Sequence, residues 1–87
     1  MNSDIILNGK AEITNYIIKI DIPPEISLSE YDFNILTNII YDNNKKSWEN
    51  FDIKLLTSEI VKNSFCVYSN SNCKFFWSII GKRKNEF

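Results

Sequence analysis

The residue types that do chemistry are thinly spread in this sequence, and histidine is absent altogether. A nucleophile needs an activating base, and an acid–base pair needs two titratable groups held in different environments. Cys66 and Cys73 are the only thiols, and each would need a Lys or Arg neighbour to become a thiolate. Lys74 follows Cys73 directly, but successive residues of a strand point to opposite faces. The carboxylates show no metal-ligand spacing, and two cysteines without histidine do not build a usual zinc site. No glycine-rich loop is present to cradle phosphate. The reading is a chain that is not an enzyme and that carries no cofactor and no metal.

Charge and aromatic residues say more. Between Ile20 and Asn44 lie five acids (Asp21, Glu25, Glu30, Asp32 and Asp42) and no base. Residues 61–87 hold five bases against Glu86 alone. The net charge of −1 therefore conceals a dipolar chain. An acidic stretch of this kind can steer a basic protein or mimic nucleic acid. Glu25, Glu30, Asp32 and Asp42 are the candidate steering charges of a partner-binding surface, with Tyr31, Tyr41 and Phe76 as anchors. Lys82-Arg83-Lys84 reads as a frayed basic tail. Nucleic acid is disfavoured as a partner, because the acidic half would repel it and only Lys74 accompanies the aromatic cluster.

These residues need a scaffold, and 87 residues make one domain with a small core. Apolar residues at 44% and aromatics at 14% are enough to fold it. The densest aromatic cluster is C-terminal. Phe65–Tyr68 and Cys73–Ile80 read as two strands joined by the polar turn Ser69–Asn72, a hairpin. In the second strand Phe75, Trp77 and Ile79 share one face, and Lys74, Phe76, Ser78 and Ile80 the other. Cys66 and Cys73 are not opposite each other in that hairpin and read as buried thiols. Gly81 ends the strand.

Upstream, Ile5–Leu7 and Lys10–Ile22 flank Asn8-Gly9, a strong hairpin signal; a helix from Asn8 is the competing reading. Pro23-Pro24 breaks the chain. Ser27-Leu28-Ser29-Glu30 has the form of a capping box. The stripe of Leu28, Tyr31, Ile35 and Ile39 then predicts a helix, which the Asn-rich run after Tyr41 ends. Ser47 is positioned to cap a second helix, with Trp48, Phe51 and Leu55 on one face and a bend near residue 57. The expected fold is α+β: an antiparallel sheet from an N-terminal and a C-terminal hairpin, with two helices packed on one face. Ile5–Leu7 or Cys73–Ile80 would offer a free sheet edge to a partner strand or to a second copy, giving a homodimer. No basic leader and no membrane-length apolar run is present, so a cytoplasmic protein with no membrane partner is expected.

Lys45-Lys46-Ser47-Trp48, then Asn63-Ser64-Phe65, then Phe75-Phe76-Trp77-Ser78-Ile79 follow one another in an order that resembles the middle of bacterial contact-dependent growth-inhibition immunity proteins. Glu12-Ile13-Thr14-Asn15-Tyr16 and Ser29-Glu30-Tyr31-Asp32 are similar to that family as well, so the likeness spans roughly residues 12–80. The resemblance implies a cytoplasmic protein that binds and neutralises one protein toxin, often a nuclease, and no catalytic residues. The function expected is occlusion of a protein partner, a basic toxin or nuclease. The alternatives are a phage-encoded inhibitor of host defence, such as an anti-CRISPR protein, and a nucleic-acid-binding regulator.

Overall fold

The computed structural model describes residues 4–84 and is built from strands. In chain order these are β1 (Ile5–Ile13), β2 (Ile17–Asp21), β3 (Tyr31–Ile39), β4 (Leu55–Thr57), β5 (Ser64–Ser69) and β6 (Cys73–Arg83). A single 3₁₀ turn, Leu28–Glu30, precedes β3, and one short helix, α1 (Ser47–Phe51), lies between β3 and β4. Two antiparallel three-stranded sheets result, one in the order β1-β6-β3 and the other β2-β5-β4. The expected α+β arrangement is thus overturned: the fold is mostly β, and no helices pack on a sheet face.

Neither expected hairpin exists. β1 runs straight through Asn8-Gly9, with Asn8 opposite Ser78 and Gly9 opposite Trp77 of β6. A Cβ on Gly9 would lie 2.7 Å from the Trp77 indole, so this glycine serves a close approach rather than a turn. The chain bends later, where Ile17 N donates to Asn15 O and Tyr16 takes a φ of 75°. β5 and β6 likewise lie in different sheets, paired with β2 and β1 respectively. The Ser69–Asn72 turn between them is therefore a corner from one sheet to the other. Ser69 holds that corner: its hydroxyl donates to Ser71 O and accepts from Ser71 N. The tight turn of the chain is Lys62-Asn63, both at positive φ, closed by reciprocal Val61–Ser64 bonds.

The long predicted helix is strand β3. Its odd positions Tyr31, Phe33, Ile35, Thr37 and Ile39 are half-buried, and its even positions Asp32, Asn34, Leu36 and Asn38 are exposed. That is a period of two, fixed by pairing along the whole of β6 from Arg83 to Phe75. The capping box does not form. Ser27 makes no side-chain cap, and the Glu30 carboxylate turns instead to Arg83. The second helix is cut to one turn, and its N-cap is Lys46, not Ser47. Lys46 N donates to the Glu49 carboxylate at its start. At its end the Asn70 side chain takes Lys54 N and gives to Asp52 O, drawing the backbone out of the helical path.

The two sheets meet around Ile13, Ile20, Ile22, Phe65, Val67, Phe75 and Ile79. Phe65 of β5 stands edge-on to Trp77 of β6, ring centres 6.1 Å apart, so the β5-β6 corner folds one sheet over the other. The segment from Ile22 to Leu28 crosses between the sheets, and Ile26 and Leu28 pack on the same core. β6 does not end at Gly81 but continues to Arg83. Lys82 and Arg83 are ladder residues opposite Asp32 and Tyr31, and Lys84 N donates to Glu30 O. Of the expected tail, residues 85–87 lie outside the described residues. Both cysteines are free thiols, Cys73 buried and Cys66 half-buried.

Candidate protein-binding face

Side chains of β1, β6 and β3 alternate between two faces of one sheet. The odd face meets the second sheet. The even face carries no second sheet among the described residues. Across it the register sets Ile6 beside Ile80 and Asn34, Asn8 beside Ser78 and Leu36, and Lys10 beside Phe76 and Asn38. Ile6 is 66% exposed, Leu36 54% and Phe76 52%. These three side chains, with Ile80, form an apolar strip across a three-stranded sheet. Isolated exposed apolar residues are ordinary, but several on one sheet face make that face the candidate interaction surface.

The rim of the strip is polar and of mixed sign. Lys10 Nζ stands 6.0 Å from the centre of the Phe76 ring. Glu12 is opposite Lys74, and Asp32 opposite Lys82. At one end the face runs into a recess of about 480 Å³ lined by Lys10, Glu12, Tyr41, Asp42, Lys45 and Lys74, among others. Acids and bases alternate around it, so it presents no field of one sign. Lys45 Nζ is bound to Asn72 O across its mouth.

A second exposed apolar feature is α1. Trp48 is 61% and Phe51 83% exposed, one turn apart on the same side of the helix. The helix is held firmly by Asn50, which is buried. Its side chain accepts from Asp42 N and donates to Asp42 O and Lys46 O. Both aromatics were expected to share one helix face with Leu55; the helix ends at Phe51, and Leu55 belongs to β4 instead.

The candidate residues do not form one cluster. Glu25 is exposed on the crossing segment between the sheets. Glu30 and Tyr31 are at the far end of β3 and are occupied by Arg83. Its guanidinium bonds the Glu30 carboxylate at 2.8 Å and the Tyr31 hydroxyl at 3.1 Å, and lies over the Tyr31 ring. Asp32 shares the even face with Phe76. Tyr41 and Asp42 are beyond the other end of β3, which is about 26 Å away along a strand of this length. One Asp42 oxygen accepts from Asn44 N, shaping its own loop. The charge asymmetry of the sequence is thereby largely cancelled in space, because the acidic start of β3 lies in register against the basic end of β6. Phe76 is exposed, as its parity in β6 predicts, and Tyr41, 53% exposed, borders its face. Ile6 and Leu36 were missed. The signal for Leu36 was present in the alternation of residues 31–39.

Comparison with family models, with characterised proteins and with solved structures finds no match to this chain. Among the described residues no group of His, Cys, Asp and Glu is arranged to hold a metal ion. No helix is long and apolar enough to cross a membrane.

Proposed function

We propose that this chain is a small cytoplasmic binding protein that neutralises a protein toxin by covering it, using the even face of the β1-β6-β3 sheet. The observation that carries the reading is the set of exposed Ile6, Leu36 and Phe76, with half-buried Ile80, on the face of the sheet turned away from the core. A flat sheet bonded along its length holds its anchors rigidly, so little conformational entropy is lost when a partner docks. Phe76 is the central anchor, with Lys10 and Asn38 beside it as the polar rim. The mixed charge around the strip supports recognition through apolar fit. It does not support steering by an acidic patch, so the partner need not be basic.

The test is genetic and direct. Each open reading frame adjacent to the gene is expressed with and without this chain. The reading expects one of them to arrest growth and this chain to relieve the arrest. It also expects relief to be lost when Leu36 and Phe76 are both replaced by Glu while the circular dichroism spectrum is unchanged. If no neighbouring frame is toxic, the proposal fails. A phage operon as the gene's setting, with relief of a host nuclease in place of a toxin, would move the same face to a defence target.

A further inference from the structure

β1 is an edge strand of nine residues whose one ladder partner is β6. Its other side carries a row of backbone groups with no strand beside it among the described residues. Edges of this length are usually blunted by proline, a bulge, a covering segment or charged side chains, lysine above all. β1 has no proline, and its register with β6 runs unbroken from Ile5 to Ile13. The remaining edges are less open. β3 faces a groove closed by Thr57–Ile60, and β2 and β4 are shorter. What β1 does carry on its even face is one base and one acid two residues apart, Lys10 and Glu12.

We infer that β1 pairs antiparallel with β1 of a second copy, about a two-fold axis at Ala11, with Lys10 of each chain opposite Glu12 of the other. This register is chosen by charge. Centring the pairing on Lys10 would set two lysines face to face, and centring it on Gly9 would set Glu12 against Ile6. Centred on Ala11, each Glu12 has Lys74 of its own chain on one side and the second copy's Lys10 on the other. Each Lys10 stands between its own Phe76 ring and the second copy's Glu12. On the odd face the small residues Gly9 and Ala11 meet Ile13 and Ala11 of the second copy, which leaves room for close approach.

The two β1 strands then overlap over residues 9–13 of each, giving one staggered six-stranded sheet, β3-β6-β1-β1-β6-β3, with both even faces on the same side. Size favours it too. Three strands of nine residues present a face of about 14 by 30 Å, or roughly 400 Å². A stable protein interface takes about 800 Å² from each partner, which two such faces side by side supply. This last argument alone rests on the binding function proposed above; the edge and the charges do not.

Sedimentation equilibrium on the full chain, with no partner present, tests the dimer separately from that function. The expected result is a concentration-dependent rise to twice the 10.2 kDa of one chain. Lys10→Glu alone and Glu12→Lys alone should each weaken association by at least about tenfold, since two opposite-charge pairs become two like-charge pairs. Lys10→Glu combined with Glu12→Lys should restore it. A chain that stays monomeric throughout overturns the inference. So does a dimer indifferent to the single substitutions, or a double substitution that remains monomeric.

Discussion

Phe75 and Phe76 are neighbours in sequence and have opposite fates. Phe75 is fully buried between the two sheets, while Phe76 stands half-exposed on the bare face. The same contrast runs along all of β6 and into β1 and β3. The odd face is shared with β5, with Ile20 and Ile22, and with the crossing segment at Ile26 and Leu28. The even face sets four apolar residues, Ile6, Leu36, Phe76 and Ile80, among polar ones and has no second sheet over it. Composition leans the odd face inward, and topology completes the separation. The corners at Asn15-Tyr16 and Ser69–Asn72 fold the second sheet onto one side only. The apolar residues of the other side are left available for a partner.

The contrast can be broken at its strongest point first. Phe75→Ala should cost about 3–5 kcal/mol, because it removes a ring and leaves a cavity that a close-packed core only partly closes. Phe76→Ala should stay within about 0.5 kcal/mol, as for other exposed positions. Urea unfolding of the two variants measures the difference. A cost at Phe76 near that at Phe75 would mean that the even face is covered after all.

Gly9 sharpens the contrast within β1. Gly9→Ala drives a methyl group against the Trp77 indole, itself wedged on Phe65, and should cost about 1–3 kcal/mol from overpacking. Asn8→Ala, one residue away on the bare face, should lie within about 0.5 kcal/mol by the same assay. The smallest effect is at the far end of the sheet. Arg83→Ala loses the bonds to Glu30 and Tyr31, but both charges are partly exposed. About 0.2–1 kcal/mol is expected, shrinking as salt is raised.

Parts of this fold were legible in the residues alone. The parity of β6 was, because Phe75, Trp77 and Ile79 alternate with Lys74, Phe76 and Ser78. The break at Pro23-Pro24 was too, since its chemistry is local; Ser69–Asn72 was legible as a turn, but was read as closing a hairpin rather than joining two sheets. Asn8-Gly9 misled because a turn preference worth tenths of a kcal/mol was outweighed by Trp77, distant in sequence, which needs Gly9's missing side chain. Residues 28–40 carry a helical stripe and a period of two at once. What decides between them is the open side of β6, a long-range pairing that no local pattern contains. Strand partners were illegible for the same reason: β1–β2 and β5–β6 read as hairpins, whereas here they turn corners between the sheets. At the candidate site, Phe76 was visible through parity. Ile6 and Leu36 were hidden inside segments assigned to the wrong turn and to a helix.

The claim that the even face is the working surface is tested most directly by growth rescue against whichever product of an adjacent gene proves toxic. A chain carrying Leu36→Glu and Phe76→Glu, unfolding in urea at the same midpoint as the unaltered protein, should give no protection. Full protection by that chain would contradict the account and place the partner's contact elsewhere on the molecule.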